Sequence, residues 1–325
     1  MRVALVGLGS MGANHLRILQ KLAEVELVAV VDPAGDPKNL SGSVKVLSQI
    51  SQVLSEGIDY CVIASPTSFH MENALELMEE GISVLVEKPI AVSVVEGKQM
   101  LEVSKKNNVI GGVGHIERYN AALQEAQKRI SSGELGEIFQ VTTSRQGPFP
   151  GRIADVGVIK DLATHDIDLT SWLCAKSYTQ ISAVAAHRSG RPHEDLVSAS
   201  GLLGNAIVVN HVVNWLSPLK ERKVAIVGEK GTFVIDTLNS ELTIYKNGEF
   251  EVLQKEIAHF KGVTQGDIYI PAFERQEPLL SEHKAFRDKV RGLNSEIVDF
   301  ESGLKTLEVA EGMIESVSSQ EVVKF

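Results

Sequence analysis

The chain has 325 residues, 43% apolar and 23% charged, with 32 basic against 42 acidic side chains and a formal net charge of −10. That length predicts two domains and that composition a soluble globular protein, while the acidic balance speaks against nucleic acid or an anionic membrane as the main partner. No apolar run approaches membrane-spanning length, and two cysteines, Cys61 and Cys174, are too few for a disulfide framework or a thiolate metal site. A strand entered at residue 2 leaves no room for a signal peptide, so a reducing cytoplasm is the expected compartment.

The first 32 residues set the organisation. Arg2-Val3-Ala4-Leu5-Val6 is a short apolar run without polar alternation, as in a strand covered on both faces. It runs into Gly7-Leu8-Gly9-Ser10-Met11-Gly12, a G-x-G-x-x-G, and then into a helical stretch with Leu16, Leu19, Leu22 and Ala23 on one face. Residues 25–31 form a second strand, which delivers Asp32. Gly7 permits the tight turn, Gly9 the approach of a pyrophosphate to the backbone, and Gly12 close packing of helix on strand. The helix start, with Ser10 and Met11, offers N–H groups and partial positive charge to the phosphates. Asp32 follows at the distance where a carboxylate accepts from the ribose hydroxyls. The ordered set predicts a dinucleotide site. A carboxylate at 32 repels a 2′-phosphate and Pro33-Ala34-Gly35-Asp36 offers no arginine, so NAD is favoured over NADP.

Strand and helix patterns then alternate. Strands are expected at 44–46, 59–64, 83–86 and 109–113, and helices near 50–54, 68–80 and 93–107, with Gly81 as a stop signal. This is the pattern of a doubly wound parallel sheet, the α/β domain expected over residues 1–118. After a helix at 118–131 the style changes to β-like runs at 137–145, 180–188, 196–203, 206–216, 223–227, 232–236 and 242–245, separated by glycine turns. A helix near 158–174 interrupts them and helices near 279–291 and 301–317 end the chain. Residues 119–325 are therefore expected to form an α+β domain around a mostly antiparallel sheet.

Ligands of doubly wound sheets bind beyond the carboxyl ends of the strands. Three such ends carry polar residues. Ser65-Pro66-Thr67-Ser68-Phe69-His70 reads first as a proline turn with Thr67 capping the next helix. Glu87-Lys88-Pro89 follows an apolar strand, where a lysine is equally a solvated loop residue. Gly114-His115-Ile116-Glu117-Arg118-Tyr119-Asn120 is dense in donors. A fourth stretch lies in the second domain. At 100° per residue Asp161, His165, Asp168 and Trp172 share one face of the expected helix, and Asp161 at i−4 can orient the His165 imidazole as a general base. The same arithmetic points Asp166 into the apolar sector, where a carboxylate has no evident purpose. His187, His193 and His211 lack ligand spacing, and no metal is expected.

In combination these stretches resemble the Gfo/Idh/MocA oxidoreductase family: the glycine motif, Glu87-Lys88-Pro89, Gly114 through Asn120, and Asp161-x-x-x-His165, with Glu277-Pro278-Leu279-Leu280 and Phe286 similar to the family's late helix. The resemblance implies an open sheet in the second domain used for oligomer contacts, and the strand-rich second domain with the helix near 301–317 suggests a homodimer or homotetramer. It also implies Lys88, Asp161 and His165 as catalytic residues, and Ser65, Pro66, Thr67 and His70, with Glu87 and Lys88, beside the cofactor. Asn120-Ala121 departs from it, since many relatives carry proline there.

The implied chemistry is NAD-dependent oxidation of a sugar hydroxyl: His165 takes the proton, Lys88 hydrogen-bonds the oxygen, and Asp161 holds the imidazole tautomer. Arg118, Arg145 and Arg152 are candidate substrate contacts. Arg145 and Arg152 flank the loop before the 158–174 helix and would clamp a diphosphate or, equally, stand as surface charges. That loop and Trp215-Leu216-Ser217-Pro218 resemble the branch that oxidises the 3-hydroxyl of UDP-N-acetylglucosamine. An inositol or free-sugar dehydrogenase would share every catalytic residue, and a dinucleotide-binding regulator without turnover is the reading from another class.

Overall fold

A computed structural model describes residues 1–151, 156–204, 206–248 and 263–325. In chain order the first elements are β1 (Arg2–Val6), α1 (Ser10–Leu19), β2 (Glu26–Val31), β3 (Lys45–Leu47), α2 (Ser51–Leu54), β4 (Tyr60–Ile63), α3 (His70–Glu79), β5 (Ser83–Glu87), α4 (Val94–Lys106) and β6 (Gly111–Gly114). There follow α5 (Ala121–Ser131), β7 (Ile138–Pro148), α6 (Thr164–Cys174), β8 (Tyr178–Ala186), β9 (Leu196–Leu203), β10 (Ile207–Asn214), β11 (Leu216–Gly228), β12 (Gly231–Asp236), β13 (Glu241–Asn247) and β14 (Gln265–Tyr269). The last are α7 (Pro278–Val290), α8 (Phe300–Ser319) and β15 (Val323–Lys324). No helix among the described residues is long and apolar enough to cross a membrane.

The chain forms two compact units, residues 1–119 with 276–311 and residues 120–275 with 312–325. In the first, six parallel strands run in the order β3-β2-β1-β4-β5-β6, the doubly wound arrangement that reverses beside β1. The strands read as unbroken apolar runs because alternate residues serve opposite faces. Ala4, Val6, Cys61, Ile63, Val84 and Val86 join one buried cluster, and Val3, Leu5, Tyr60, Val62 and Leu85 the other.

The expected single division at residue 118 does not include the return of 276–311. Its cause lies in Gly111 and Gly112 of β6, which have no side chains to cover themselves. Phe300 occupies the place of a Cβ at Gly111, and Phe286 that at Gly112, within 2.5 and 2.8 Å of the missing atoms.

Among its described residues the second unit holds nine strands in the order β14-β13-β12-β11-β7-β10-β9-β8-β15. Of these, β7 and β10 pair in parallel and the other neighbours antiparallel. Helices α5 and α6 pack on one face. On the other, Ser182 and Val184 of β8, Ser198 and Ser200 of β9, and Val208 and Val212 of β10 are exposed. Asn120, where the departure from proline falls, is the N-cap of α5. Its Oδ1 accepts from the Ala122 N–H at 3.0 Å and its Nδ2 donates to the Thr237 carbonyl at 3.0 Å.

A buried polar chain ties α6 to the sheet. His211 Nδ1 lies 2.7 Å from the Thr143 hydroxyl and its Nε2 2.7 Å from the Tyr178 hydroxyl, which lies 2.6 Å from Thr170 Oγ1. Burial first, and Arg145 second, pull the His211 pKa down from 6.5 to about 4. Between those values the unfolded chain binds a proton that the folded chain does not, so stability is full above the upper value and falls as pH drops toward the lower. Urea denaturation at pH 7 and pH 4.5 should show His211→Gln losing about 2–3 kcal/mol less than wild type across the interval.

Candidate functional site

The glycine turn is built as its spacing predicts. Gly7 has φ +96°, and a Cβ there would meet the Ala64 carbonyl oxygen at 2.6 Å; one at Gly12 would meet the Gly7 carbonyl oxygen at 2.0 Å. Both positions admit only glycine, for the turn and for the close seat of α1 on β1. At Gly9, by contrast, a Cβ would meet nothing within 4 Å. Gly9 is also the N-cap of α1 and no side chain caps the helix. Open space against N–H groups that have no partner within the helix, including those of Ser10 and Met11, fits a pyrophosphate. Asp32, at the end of β2, is held by the same turn: its carboxylate accepts from the Leu8 N–H at 2.7 Å and the Ala34 N–H at 2.9 Å.

The loop after β4 differs from its expected form. A 3₁₀ turn, Thr67–Phe69, precedes α3, whose N-cap is Phe69, and neither start has a side-chain cap. Thr67 therefore caps no helix, because the tighter turn puts it three residues before the true start. Ser65 and Thr67 are half-buried and Pro66 is exposed. His70 is buried, with Nδ1 3.0 Å from the Pro89 carbonyl and Nε2 3.0 Å from the Ser65 carbonyl. It braces the loop after β4 against the loop after β5. Burial holds its pKa below the usual histidine value, against the pull of the two carbonyls and of Glu87.

Lys88 is half-buried just past the end of β5. Glu87 before it is buried, and both of its oxygens already accept: Oε1 from His15 Nε2 at 2.9 Å and Oε2 from the Lys88 main-chain N–H at 3.0 Å. Burial alone would raise the Glu87 pKa, but the His15 hydrogen bond and the Lys88 charge outweigh it and hold the group below the usual carboxylate value. Arg118 is half-buried in a 3₁₀ turn after β6.

In the second unit Asp161 and His165 are near neighbours on one helical segment, but it is not the uniform helix of the 100° arithmetic. Residues Ile159–Ala163 form a π-turn that passes into α6 at Thr164. The wider turn rotates Asp161 away from its ideal-helix position relative to His165. Asp161 is buried and His165 half-buried. Glu194 fixes the start of the segment, its carboxylate accepting from the Ile159 N–H at 3.0 Å and its carbonyl from the Val158 N–H at 3.0 Å.

Arg145 is not a surface charge: it is 3% exposed, and its Nε donates to Asp166 Oδ1 at 3.0 Å. The same pair explains why Asp166 points inward. Arg152 lies outside the described residues. Sequence reasoning missed two groupings. Arg191 lies against both Phe149 and Trp215, 4.2 and 4.9 Å from their ring centroids, which are themselves 5.3 Å apart edge to face, and one guanidinium N–H donates to the Val156 carbonyl at 3.4 Å. The second is the buried set around His15. Its signal was in the sequence, since His15 shares with Gly12, Leu16 and Leu19 the inward stripe of α1.

The family described as "Oxidoreductase family, NAD-binding Rossmann fold" matches residues 1–146, and the GFO/IDH/MocA C-terminal domain matches residues 123–234. The chain is 27% identical to UDP-N-acetylglucosamine 3-dehydrogenase of Acidithiobacillus ferrooxidans over 257 residues, 76% of this chain and 78% of that one. It is 31% identical to scyllo-inositol 2-dehydrogenase (NAD(+)) of Bacillus subtilis over 192 residues, 56% of each. Two solved structures share the fold. The Acidithiobacillus enzyme superposes with TM-score 0.86 at 23% identity, covering 98% of both chains. The WlbA dehydrogenase from Bordetella pertussis, in complex with NADH and UDP-GlcNAcA, superposes with TM-score 0.82 at 23% identity, covering 100% of this chain and 98% of that one.

Proposed function

This chain belongs to the Gfo/Idh/MocA family of NAD-binding oxidoreductases, and we propose that it oxidises the 3-hydroxyl of a UDP-N-acetylhexosamine with NAD as acceptor. The observation that carries the substrate reading is the reach of the similarity. An alignment of 257 residues with a nucleotide-sugar dehydrogenase is too long to lie within the 146 residues of the cofactor domain. It extends into the second domain, which has to tell one sugar from another. A second reading, an inositol dehydrogenase, is favoured by the higher identity, 31%, to the Bacillus enzyme.

Bound NAD supplies the hydride acceptor. The N–H groups at Gly9, Ser10, Met11 and Gly12 hold its pyrophosphate, Asp32 its adenosine ribose, and Ser65-Pro66-Thr67 borders the nicotinamide half. His165 takes the hydroxyl proton, and Asp161 keeps the imidazole in the tautomer that accepts it. Lys88 hydrogen-bonds the same oxygen and offsets the charge that grows on it. Arg118 and Arg152 are the candidates for the substrate's phosphates.

The test is NADH formation on incubation with UDP-N-acetylhexosamines, inositols and free hexoses. Turnover of the UDP-sugars alone supports the first reading, turnover of inositols the second. No product from any would leave a dinucleotide-loaded regulator. For the cofactor, Asp32→Ser should weaken NADH binding roughly tenfold and narrow the gap to NADPH, read by fluorescence titration, because a repelling carboxylate is gone.

The reading extends to assembly as a homodimer or homotetramer. The exposed serines and valines of β8, β9 and β10 form an uncharged face on a chain of net charge −10, a surface suited to a second copy of itself. Val212, 40% exposed near its middle, tests this. Val212→Glu should reduce the mass measured by light scattering to that of one chain.

A further inference from the structure

Four titratable side chains of the first unit are buried together, and the proposed chemistry uses none of them. They are His15 on α1, Glu87 at the end of β5, and Glu282 and His283 on α7, with exposures of 1, 7, 1 and 0%. The bonds form a line. His283 Nε2 lies 2.8 Å from His15 Nδ1, His15 Nε2 lies 2.9 Å from Glu87 Oε1, and Glu87 Oε2 accepts from the Lys88 N–H at 3.0 Å. The imidazole rings meet edge to face, their centroids 5.0 Å apart.

The proton positions follow from the inventory of donors. An ionised Glu87 only accepts, so His15 donates from Nε2. A neutral His15 then accepts at Nδ1, so His283 donates from Nε2. His283 is left with a bare Nδ1, which has no hydrogen-bond partner among the described residues. That is consistent with a ring held neutral, since burial and His15 keep its pKa well below the histidine value. Glu282 has neither oxygen hydrogen-bonded among the described residues. Burial, with the Glu87 charge added, pushes its pKa well up, so it is a neutral acid. One negative charge is thus fixed at Glu87. The groups facing it are His15 from α1, Glu282 from α7, His70 from α3 and Lys88 on its own strand end.

We propose that Glu87 is a positioning residue for Lys88, and that the His15–His283 pair exists to hold the Glu87 carboxylate ionised and aimed at the Lys88 main chain. The inference rests on Lys88 acting on the substrate oxygen. It differs from a role for Glu87 at the cofactor, because the carboxylate is buried with both oxygens engaged. The hydrogen bond to the Lys88 N–H fixes the backbone from which the lysine side chain departs, and the carboxylate charge attracts the ammonium that donates to the reacting oxygen.

Kinetics and a turnover-free measurement test it together. With whichever sugar the wild type oxidises, Glu87→Gln should lower kcat roughly 10–100-fold while NADH affinity stays within threefold. His15→Gln keeps one donor toward Glu87 and should retain more activity than His15→Ala. Nitrogen-15 NMR of the histidine rings needs no substrate. The wild type should show both His15 and His283 carrying the ring proton on Nε2, and Glu87→Gln should change the His15 signals.

A Glu87→Gln enzyme with unchanged kcat would overturn the proposal. So would a His15 ring in the wild type that carries its proton on Nδ1 instead of Nε2. Should Glu87→Gln not fold, the two His15 variants carry the kinetic comparison, and equal activity of both would count against it. A wild type that oxidises no sugar would sink the functional reading instead, and the NMR result would still decide whether the line of bonds exists.

Discussion

His165→Ala should lower sugar-dependent NADH formation by about a thousandfold while NADH still binds with wild-type affinity, because the substitution removes a proton acceptor and leaves the dinucleotide turn intact. The two readouts separate catalysis from folding. Asp161→Asn is expected to cost a comparable factor, since an amide opposite the imidazole favours the wrong tautomer. If the two residues act as one unit, the double variant is no slower than the worse single one. Independent, multiplying losses would mean that Asp161 serves the fold and not the base. The π-turn sharpens the question: Asp161 belongs to the wide turn Ile159–Ala163 and His165 to the first turn of α6, so the pair is not an ordinary i, i+4 contact. Turnover by His165→Ala above a tenth of wild type would require another base.

The legibility of the chain follows the range of its interactions. The dinucleotide turn was readable because its logic is local: Gly7 needs a positive φ, Gly12 needs to meet the Gly7 carbonyl, and both demands fall within one strand–helix junction. The parallel strands were readable because burial on both faces leaves a continuous apolar run. Short polar edge strands left no such trace, and β14 and β15 were absent from the expected pattern. The π-turn was invisible because a helical wheel assumes one period throughout. The return of α7 to the first unit turns on Phe286 and Phe300 covering glycines far upstream, a contact with no local signature. For the same reason the His15–His283 bond, spanning 268 residues, was only half visible, as a histidine on an otherwise apolar stripe.

Arg145→Leu should destabilise the protein by about 3–5 kcal/mol, the usual cost of stranding one partner of a buried ion pair. Its guanidinium and the Asp166 carboxylate are 4% and 2% exposed as side chains and 3.0 Å apart. Neither is screened by water, so neither is a surface pair of negligible worth. Taking the charges out of water costs nearly as much as their attraction returns, so removing both together should be far milder than removing one. Arg145→Leu with Asp166→Leu is therefore expected to recover most of the lost stability in urea denaturation. The comparison also decides between two uses of the same arginine. A phosphate clamp would lose substrate affinity in Arg145→Leu with little change in stability, and no substitution at Asp166 would restore it. A structural pair would lose stability first and regain it in the double variant. The inward aim of Asp166, inexplicable on an apolar helix face taken alone, is what the second outcome requires.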